Sequence, residues 1–583
     1  MDIIDVTRCQ LVSSRFLNLA RDFELWKTLC FEDSRAEAAR RRQRLRDAQD
    51  SHLDELVNAI SSLPGISSTS GVSSSTTDSR TTDRIQRNRA LANWEPGYPG
   101  EDIDYYEEYI HRHADVNVDW INLPNTGGGD KREIREATGM AVLSNNGSQN
   151  IVSPLDDGTI CVWDVTSRST TLDGGRAKLL GQSSAGLLTG SASPDRSHTL
   201  MTEIGAVECV SIDSSASKGY FAVQNVLQEV DLQTLHVSST KQYPFPITAL
   251  SSCRPGMPLT VGTSWTVHLH DSRDPSTPSG TDDSAQLIGG SVNAHAALSQ
   301  PGPLSIVSQH DTSSIWVAGR FTSLLHYDIR RFPRLLGTIH SGARIASLTT
   351  LPYPFTPRSL DLIRNPDASM TALQTARSTP GTTLLVAAEY KGKGSLELHS
   401  PFGTSSYQNR QTASASKLLS VAPHGGRIVF SDGDGNLRWM ERDGSTLVRQ
   451  YNINSETKAD ADATTGGIFS SSASEMPGQG DIVQKILPLR AWKSDVGSGR
   501  FDVPGEALML WSGDGRVGCL SFGTRNPIRP DDSWHDVVEE QGLSVEERAR
   551  EDAERQYDLR MRRALERNAD EVRFVRGLGM APF

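Results

Sequence analysis

The residues most suggestive of chemistry are Asp432-Gly-Asp434-Gly-Asn436, whose alternating oxygens imitate the start of a calcium loop. An EF-hand loop needs Gly at its sixth position and a bidentate Glu at its twelfth. Leu437 and Asp443 stand there instead. Asp-Gly and Gly-Asn supply the positive φ of a tight turn, so the stretch reads as a β-hairpin. His111 and His113 sit beside acidic residues, but no further ligand follows at metal-site spacing. They are expected in a loop or an interface. His268 and His270 alternate along a strand-like run, so they share one face and are expected to pack. Gly392-Lys393-Gly394-Ser395 lacks the spacing of a phosphate loop and reads as a hairpin turn. No Gly-x-Ser-x-Gly nucleophile turn stands between a strand and a helix. Cys9, Cys30, Cys161, Cys209, Cys253 and Cys519 form no Cys-x-x-Cys pair, so neither a zinc ribbon nor a disulfide framework is expected, and a reducing compartment fits. These residues predict no metal, no cofactor and no catalysis.

The composition excludes further classes. The 583 residues carry 59 Lys+Arg against 71 Asp+Glu, a formal net charge of −12. Nucleic-acid binding draws on basic charge that releases counterions, so no nucleic-acid partner is expected. No apolar run approaches the roughly 18–20 residues of a membrane-spanning helix, and no membrane partner is expected. The opening MDIIDVTRCQ lacks the basic and apolar regions of a secretory signal. A cytoplasmic or nuclear location follows as the expectation. The run Arg40-Arg41-Arg42-Gln-Arg44-Leu-Arg46 reads as a nuclear import signal or as the solvated face of a helix. Asn146-Gly-Ser148 matches a glycosylation acceptor, and without secretion it reads as a turn.

The elements that must position these residues are mostly strands. From 136 to 525, short β-rich runs alternate with turns rich in Gly, Asp, Asn, Ser and Pro. A strand–turn–strand pattern recurs at 151–165, 219–232, 259–273, 315–330, 384–400, 427–444 and 507–523. Some spacings match the roughly 40–45-residue period of a propeller blade. The wider ones are filled by polar inserts at 274–290, 355–382 and 453–480. A single sheet has two faces to bury and two open edges, and radial stacking of blades answers both needs. The prediction is a mainly β protein, a divergent β-propeller of seven blades, with six or eight left open by the uneven gaps. An ordinary β-sandwich is the alternative.

Helical signals flank this region. Residues 1–34 place Leu11, Val12, Phe16 and Leu19, then Leu25, Trp26, Leu29 and Phe31, at helical spacing. Residues 35–63 are rich in helix formers and end at Pro64-Gly65. Residues 64–93 read as a Ser/Thr-rich linker, and 94–135 as an acidic, aromatic segment ahead of the propeller. In 526–583, Ser544 and Glu547 form a capping box that opens a C-terminal helix.

The N-terminal residues resemble an F-box. That family's pattern is matched by Cys9, Val12, Ser13, Arg15, Phe16, Leu19, Ala20, Leu25, Trp26, Leu29 and Cys30. The family usually opens with a Leu-Pro helix, whereas this chain starts at Met1 inside the motif. The seven repeats resemble WD repeats, with aspartates at Asp164, Asp271 and Asp328 where the WD dipeptide ends a strand, and one copy reading Trp163-Asp164. Together they resemble the F-box/WD-repeat proteins. That resemblance implies a non-catalytic substrate receptor of a cullin-RING ubiquitin ligase. Leu11, Val12, Phe16, Leu19, Leu25, Trp26 and Leu29 would bind the adaptor subunit, with Trp26 as anchor, and the propeller would recruit an unidentified target. The alternative is an interaction scaffold outside the ubiquitin system, its degenerate F-box serving as a structural clasp. Arg320, Arg330, Arg331, Arg344, Arg427 and Arg438 are arginines able to read an acidic or phosphorylated target if the fold gathers them.

Overall fold

Each of the seven strand–turn–strand copies folds as the middle pair of a four-stranded antiparallel sheet. The computed structural model describes residues 3–41, 87–124, 135–165, 177–188, 207–271, 295–361, 365–455, 480–489 and 507–522, apart from scattered positions within those spans. Blade 1 runs over 141–182, blade 2 over 207–242, blade 3 over 247–297 and blade 4 over 303–340. Blade 5 runs over 344–414, blade 6 over 418–452 and blade 7 over 483–522. The fold is a seven-bladed β-propeller.

The sequence patterns explain the layering. First strands of successive blades touch one another and form the inner wall. Middle strands such as Leu259–Thr263 and Ser314–Gly319 are buried along their whole length, because neighbouring blades cover both faces. Fourth strands alternate between exposed and half-buried positions, as in His236–Gln242, and so form the rim. Between blades 1 and 2 the core holds Val152, Ile160 and Val162 against Phe221 and Val230. Burial of each such side chain contributes about 1.5–3 kcal/mol. The turn at Gly435 has φ +77°, and a Cβ there would fall 2.5 Å from the Asp481 carbonyl oxygen, so only glycine fits.

In an antiparallel meander the first-to-second and third-to-fourth turns share one end of the ring, termed here the lower end. The second-to-third turns and the blade-to-blade connections share the upper end.

Blade 7 closes the ring with a strand from far upstream. Val116–Trp120 pairs antiparallel with Val517–Phe522, placing Val118 opposite Leu520. Both are buried with Val483, Leu508 and Leu510, against Leu437 and Trp439 of blade 6. On the other side, Met509 and Val517 pack on Ile151, Cys161 and Trp163 of blade 1. The segment 94–135, expected ahead of the propeller, therefore supplies part of it. Without that strand the Val517–Phe522 edge would be left open.

Helices α1 (Ile3–Cys9), α2 (Ser14–Ala20) and α3 (Phe23–Glu32) form the N-terminal segment, and α4 (Tyr105–His113) leads into the closing strand. Helix α5 (Met370–Ser378) lies in the insert of blade 5. Residues 36–41 are helical, as expected for the start of 35–63. The remainder of that stretch and most of the Ser/Thr-rich linker lie outside the described residues, as does the helix expected in 526–583. The chain divides into two units, Met1–Gly523 and Thr524–Phe583, of which only the first is described.

Val118→Asp puts a carboxylate into the closing seam, where it has no counter-charge in the apolar cluster. Urea denaturation is expected to show a loss of at least about 3 kcal/mol.

Candidate partner-binding surface

The N-terminal helices are held by an aromatic core that they share with α4. Trp26 is 1% exposed and its indole N–H donates to the Ala20 carbonyl at 2.6 Å. Its ring meets Tyr106 edge-on at 4.9 Å and Tyr109 at 5.1 Å. Phe23 meets Tyr105 edge-on at 5.0 Å, and the Cys30 thiol donates to the Tyr105 carbonyl at 3.5 Å. Val6 and Ala20 complete the buried cluster, with Leu25 and Leu29 half-buried against it. The Asp104 side chain caps α4 by accepting from the backbone N–H groups of Tyr106 and Glu107.

Helix α4 is in turn fastened to the lower end of blade 6 by buried charge. Arg112 Nε donates to Glu108 at 2.8 Å, and its Nη2 donates to Glu441 at 2.7 Å. Arg427 is fully buried and places Nη2 3.3 Å from Glu108. Arg449 donates to the carbonyls of His111 at 2.7 Å and Ala114 at 2.8 Å, closing the C-terminal end of the helix. Upstream, Arg442 forms a two-pronged ion pair with Glu101. Tyr98 stacks on Tyr353 of blade 5 at 4.5 Å, with its hydroxyl donating to the Pro354 carbonyl at 3.1 Å. The acidic and aromatic residues of the segment at 94–113 are thus a glue between helices and propeller.

The electrostatics follow from this burial. Desolvation alone would raise the Glu108 pKa, but the Arg427 and Arg112 guanidiniums outweigh it and hold the carboxyl below its ordinary value. The His111 ring, 4.8 Å from Phe522 and 5.5 Å from His424, is lowered to about 3, first by burial and then by Arg427. Removing one partner of such a buried pair costs about 3–5 kcal/mol, because the other charge is stranded.

Against this anchor the predicted adaptor residues divide. Val12 is 67% exposed, Phe16 46% and Leu19 61%, and Phe23, not singled out from sequence, is 49% exposed. Phe16 and Leu19 are three apart on α2 and so share a face. Trp26, expected as the anchor of the adaptor surface, is instead buried in the internal core against the aromatic residues of α4. Leu11 lies outside the described residues. Phe23 opens α3, and nothing in its type or spacing marked it in the sequence as exposed.

The other candidates also resolve. Asp432 accepts from the backbone N–H groups of Asp434 and Asn436, both at 3.0 Å, so its turn is a hairpin, as expected. His268 and His270 are packed, bonded to Thr266 at 2.7 Å and to Tyr243 at 3.1 Å. Gly392 has φ +80° in a hairpin turn. Among the described residues, no group of three or more His, Cys, Asp or Glu is arranged to hold a metal. No described helix is long and apolar enough to cross a membrane. The six arginines do not converge. Arg320 and Arg344 lie at the upper end, Arg330 and Arg331 at the lower end of blade 4. Arg427 pairs with Glu108, and Arg438 donates to the Ala413 carbonyl at 2.6 Å.

No protein-family model matches the chain, and no curated protein matches it in sequence. The architecture itself, a propeller with an apolar helical surface welded to one end, is that of a protein-interaction scaffold.

The His111 shift gives the clasp a pH dependence. Between 6.5 and about 3 the unfolded chain binds a proton that the folded chain does not, so stability falls as pH drops through that window. The loss from this group is about 2 kcal/mol at pH 5, from about 1.4 kcal/mol per pH unit. Urea midpoints at pH 7 and pH 5 should separate by less in His111→Gln than in wild type. The remaining dependence includes His268, lowered to about 4 by burial and then His295. Glu108 adds a loss at lower pH, as its carboxylate protonates.

Proposed function

We propose that this chain is a non-catalytic substrate receptor of a cullin-RING ubiquitin ligase, binding the adaptor subunit through α2 and its flanks and a target protein through the propeller. The observation that carries this reading is the solvent-facing group of Val12, Phe16, Leu19 and Phe23, at positions that resemble or adjoin the F-box pattern. Four exposed large apolar side chains within twelve residues mark a protein-interaction surface. The mechanism is proximity: a target held on the ring sees a raised effective concentration of the ubiquitin-loaded enzyme. The buried α3–α4–blade 6 connection supports it, because a receptor acts by holding its two binding surfaces at a fixed separation.

A second reading is favoured by Trp26. Its burial on α4 suits a scaffold outside the ubiquitin system, in which the F-box-like segment serves as a structural clasp.

Pull-down of the purified adaptor subunit separates the two. Under the first reading, the double variant Phe16→Asp, Leu19→Asp binds at least tenfold more weakly while its melting temperature stays within about 2 °C, since both residues are exposed. Failure of the wild-type chain to capture the adaptor leaves the clasp reading.

A further inference from the structure

The upper end of the ring, opposite the seat of α4, is patterned by sign. At blades 4 and 5 it presents Arg320, Arg344, Lys391 and Lys393, all exposed, against one half-buried acid, Glu389. At blades 7 and 1 the sign reverses. Asp481 and Asp514 share a single arginine, Arg516, which lies 2.8 Å from Asp481 and 3.7 Å from Asp514. Asp156 and Asp157 share Arg135, 3.8 Å from each, and Glu136 follows it in the chain. Across the ring from blade 6 lies an apolar patch. Trp265, in the second-to-third turn of blade 3, is 44% exposed. The Ser264 N–H donates to the Pro246 carbonyl at 2.8 Å, which seats this turn against the connection from blade 2 to blade 3. In that connection Pro244 and Pro246 are exposed and Phe245 is half-buried. Neither the connection nor the second-to-third turns of blades 2 and 3 carry a charged residue.

Neither the patch nor a flank alone selects an occupant, but their order around the ring does. In a ring of seven blades, a line through blade 6 leaves between blades 2 and 3. A half-turn about that line, taken in the plane of the upper end, lays a second copy face to face on the first. It exchanges blade 5 with blade 7, blade 4 with blade 1 and blade 3 with blade 2. We propose that the upper end is the interface of a two-fold dimer of this chain, with that line as its axis. Each basic flank then meets an acidic flank, twice over by symmetry, and the two Trp265 patches meet across the axis. Blade 6, on the axis, carries one group of each sign, Lys417 and Asp434. An aromatic patch between charged flanks has the anatomy of an interface centre and its rim. The charges also fix the register. An axis through blade 5 instead would set Trp265 of blade 3 against the acids of blade 7. The helical surface lies at the other end, so the dimer stands or falls separately from the adaptor reading.

The test is sedimentation equilibrium on the full chain. A dimer of micromolar or tighter affinity is expected, and it should weaken as sodium chloride is raised. Trp265→Ser should weaken it by about tenfold or more. So should the double variant Arg344→Glu, Lys393→Glu and, separately, Asp514→Lys. Mixed together, these two charge variants should associate again. Blade 5 of one then offers acid where blade 7 of the other offers base, and the second pair of flanks is unaltered. All these positions are exposed, so melting temperatures should stay within about 2 °C of wild type. A chain that stays monomeric at about 100 µM overturns the proposal. So does a dimer indifferent to Trp265→Ser, or a mixture of the charge variants that stays monomeric. Binding of a fluorescein-labelled Asp/Glu-rich peptide to a monomeric wild-type chain, lost in Arg344→Glu, Lys393→Glu, also overturns it and makes an acidic partner the occupant.

Discussion

Burial of the Glu108, Arg112, Arg427 and Glu441 charges beneath α4 is the constraint on which the rest of the arrangement depends. These groups are favourable out of water only while all of them are together. Arg427 shows this most plainly, since its guanidinium is fully buried and its recorded contact to an acid is Glu108 at 3.3 Å. Helix α4 therefore has one seat on blade 6. Everything upstream is referred to that seat through Trp26, Tyr105 and Tyr106, and everything downstream through Asp115 and the closing strand. The same few side chains thus set both the orientation of the helical surface and the angle at which Val116–Trp120 reaches blade 7.

Three of the blades show a related economy, each with its own polar lock. Glu397 in blade 5 accepts from Ser395 at 2.9 Å and from Arg410 at 3.2 Å, and meets His399 at 3.0 Å. Asp432 in blade 6 accepts from Ser414 at 2.7 Å and from the Asn436 amide. Blade 2 pairs Glu229 with Lys218. In each case a buried carboxylate is satisfied, but by different donors at different positions. This is why the repeats look degenerate: the fold asks for a filled interblade layer and satisfied polar groups, and several residue sets meet that demand.

Legibility followed the range of the interactions. The middle hairpins were readable because their signals are local: buried runs such as Leu384–Ala388 flanking a turn with positive φ at Lys391 and Gly392. The rim strands were not, because a half-solvated run such as His236–Gln242 has little apolar content to betray it. The closing strand Val-Asn-Val-Asp-Trp was missed because its partner lies at the far end of the propeller sequence. Helix α4 was not read as a helix at all, because what holds it is remote: Glu108 and Arg112 are matched to Arg427 and Glu441, and its last carbonyls to Arg449, over three hundred residues away. At the helical surface, periodicity identified the apolar residues but not their owners. Phe16 and Trp26 are equally apolar in sequence, and only the position of Tyr106 and Tyr109 decides which is taken.

The closing strand also gives this chain a clock. Val118 leaves the ribosome roughly 400 residues before Leu520, the residue it must pair with. At about 5–20 residues per second, that is a wait of roughly 20–80 s. Throughout it, the strand Val116–Trp120 has no sheet to join, while blades 1 to 6 accumulate beside an incomplete ring. The seat for α4 on blade 6 becomes available before blade 7 does, because Arg427, Glu441 and Arg449 all precede Val483. Nascent α4 can therefore dock first and hold the waiting strand beside the gap that blade 7 will fill, turning the most distant strand pairing among the described residues into a short-range one.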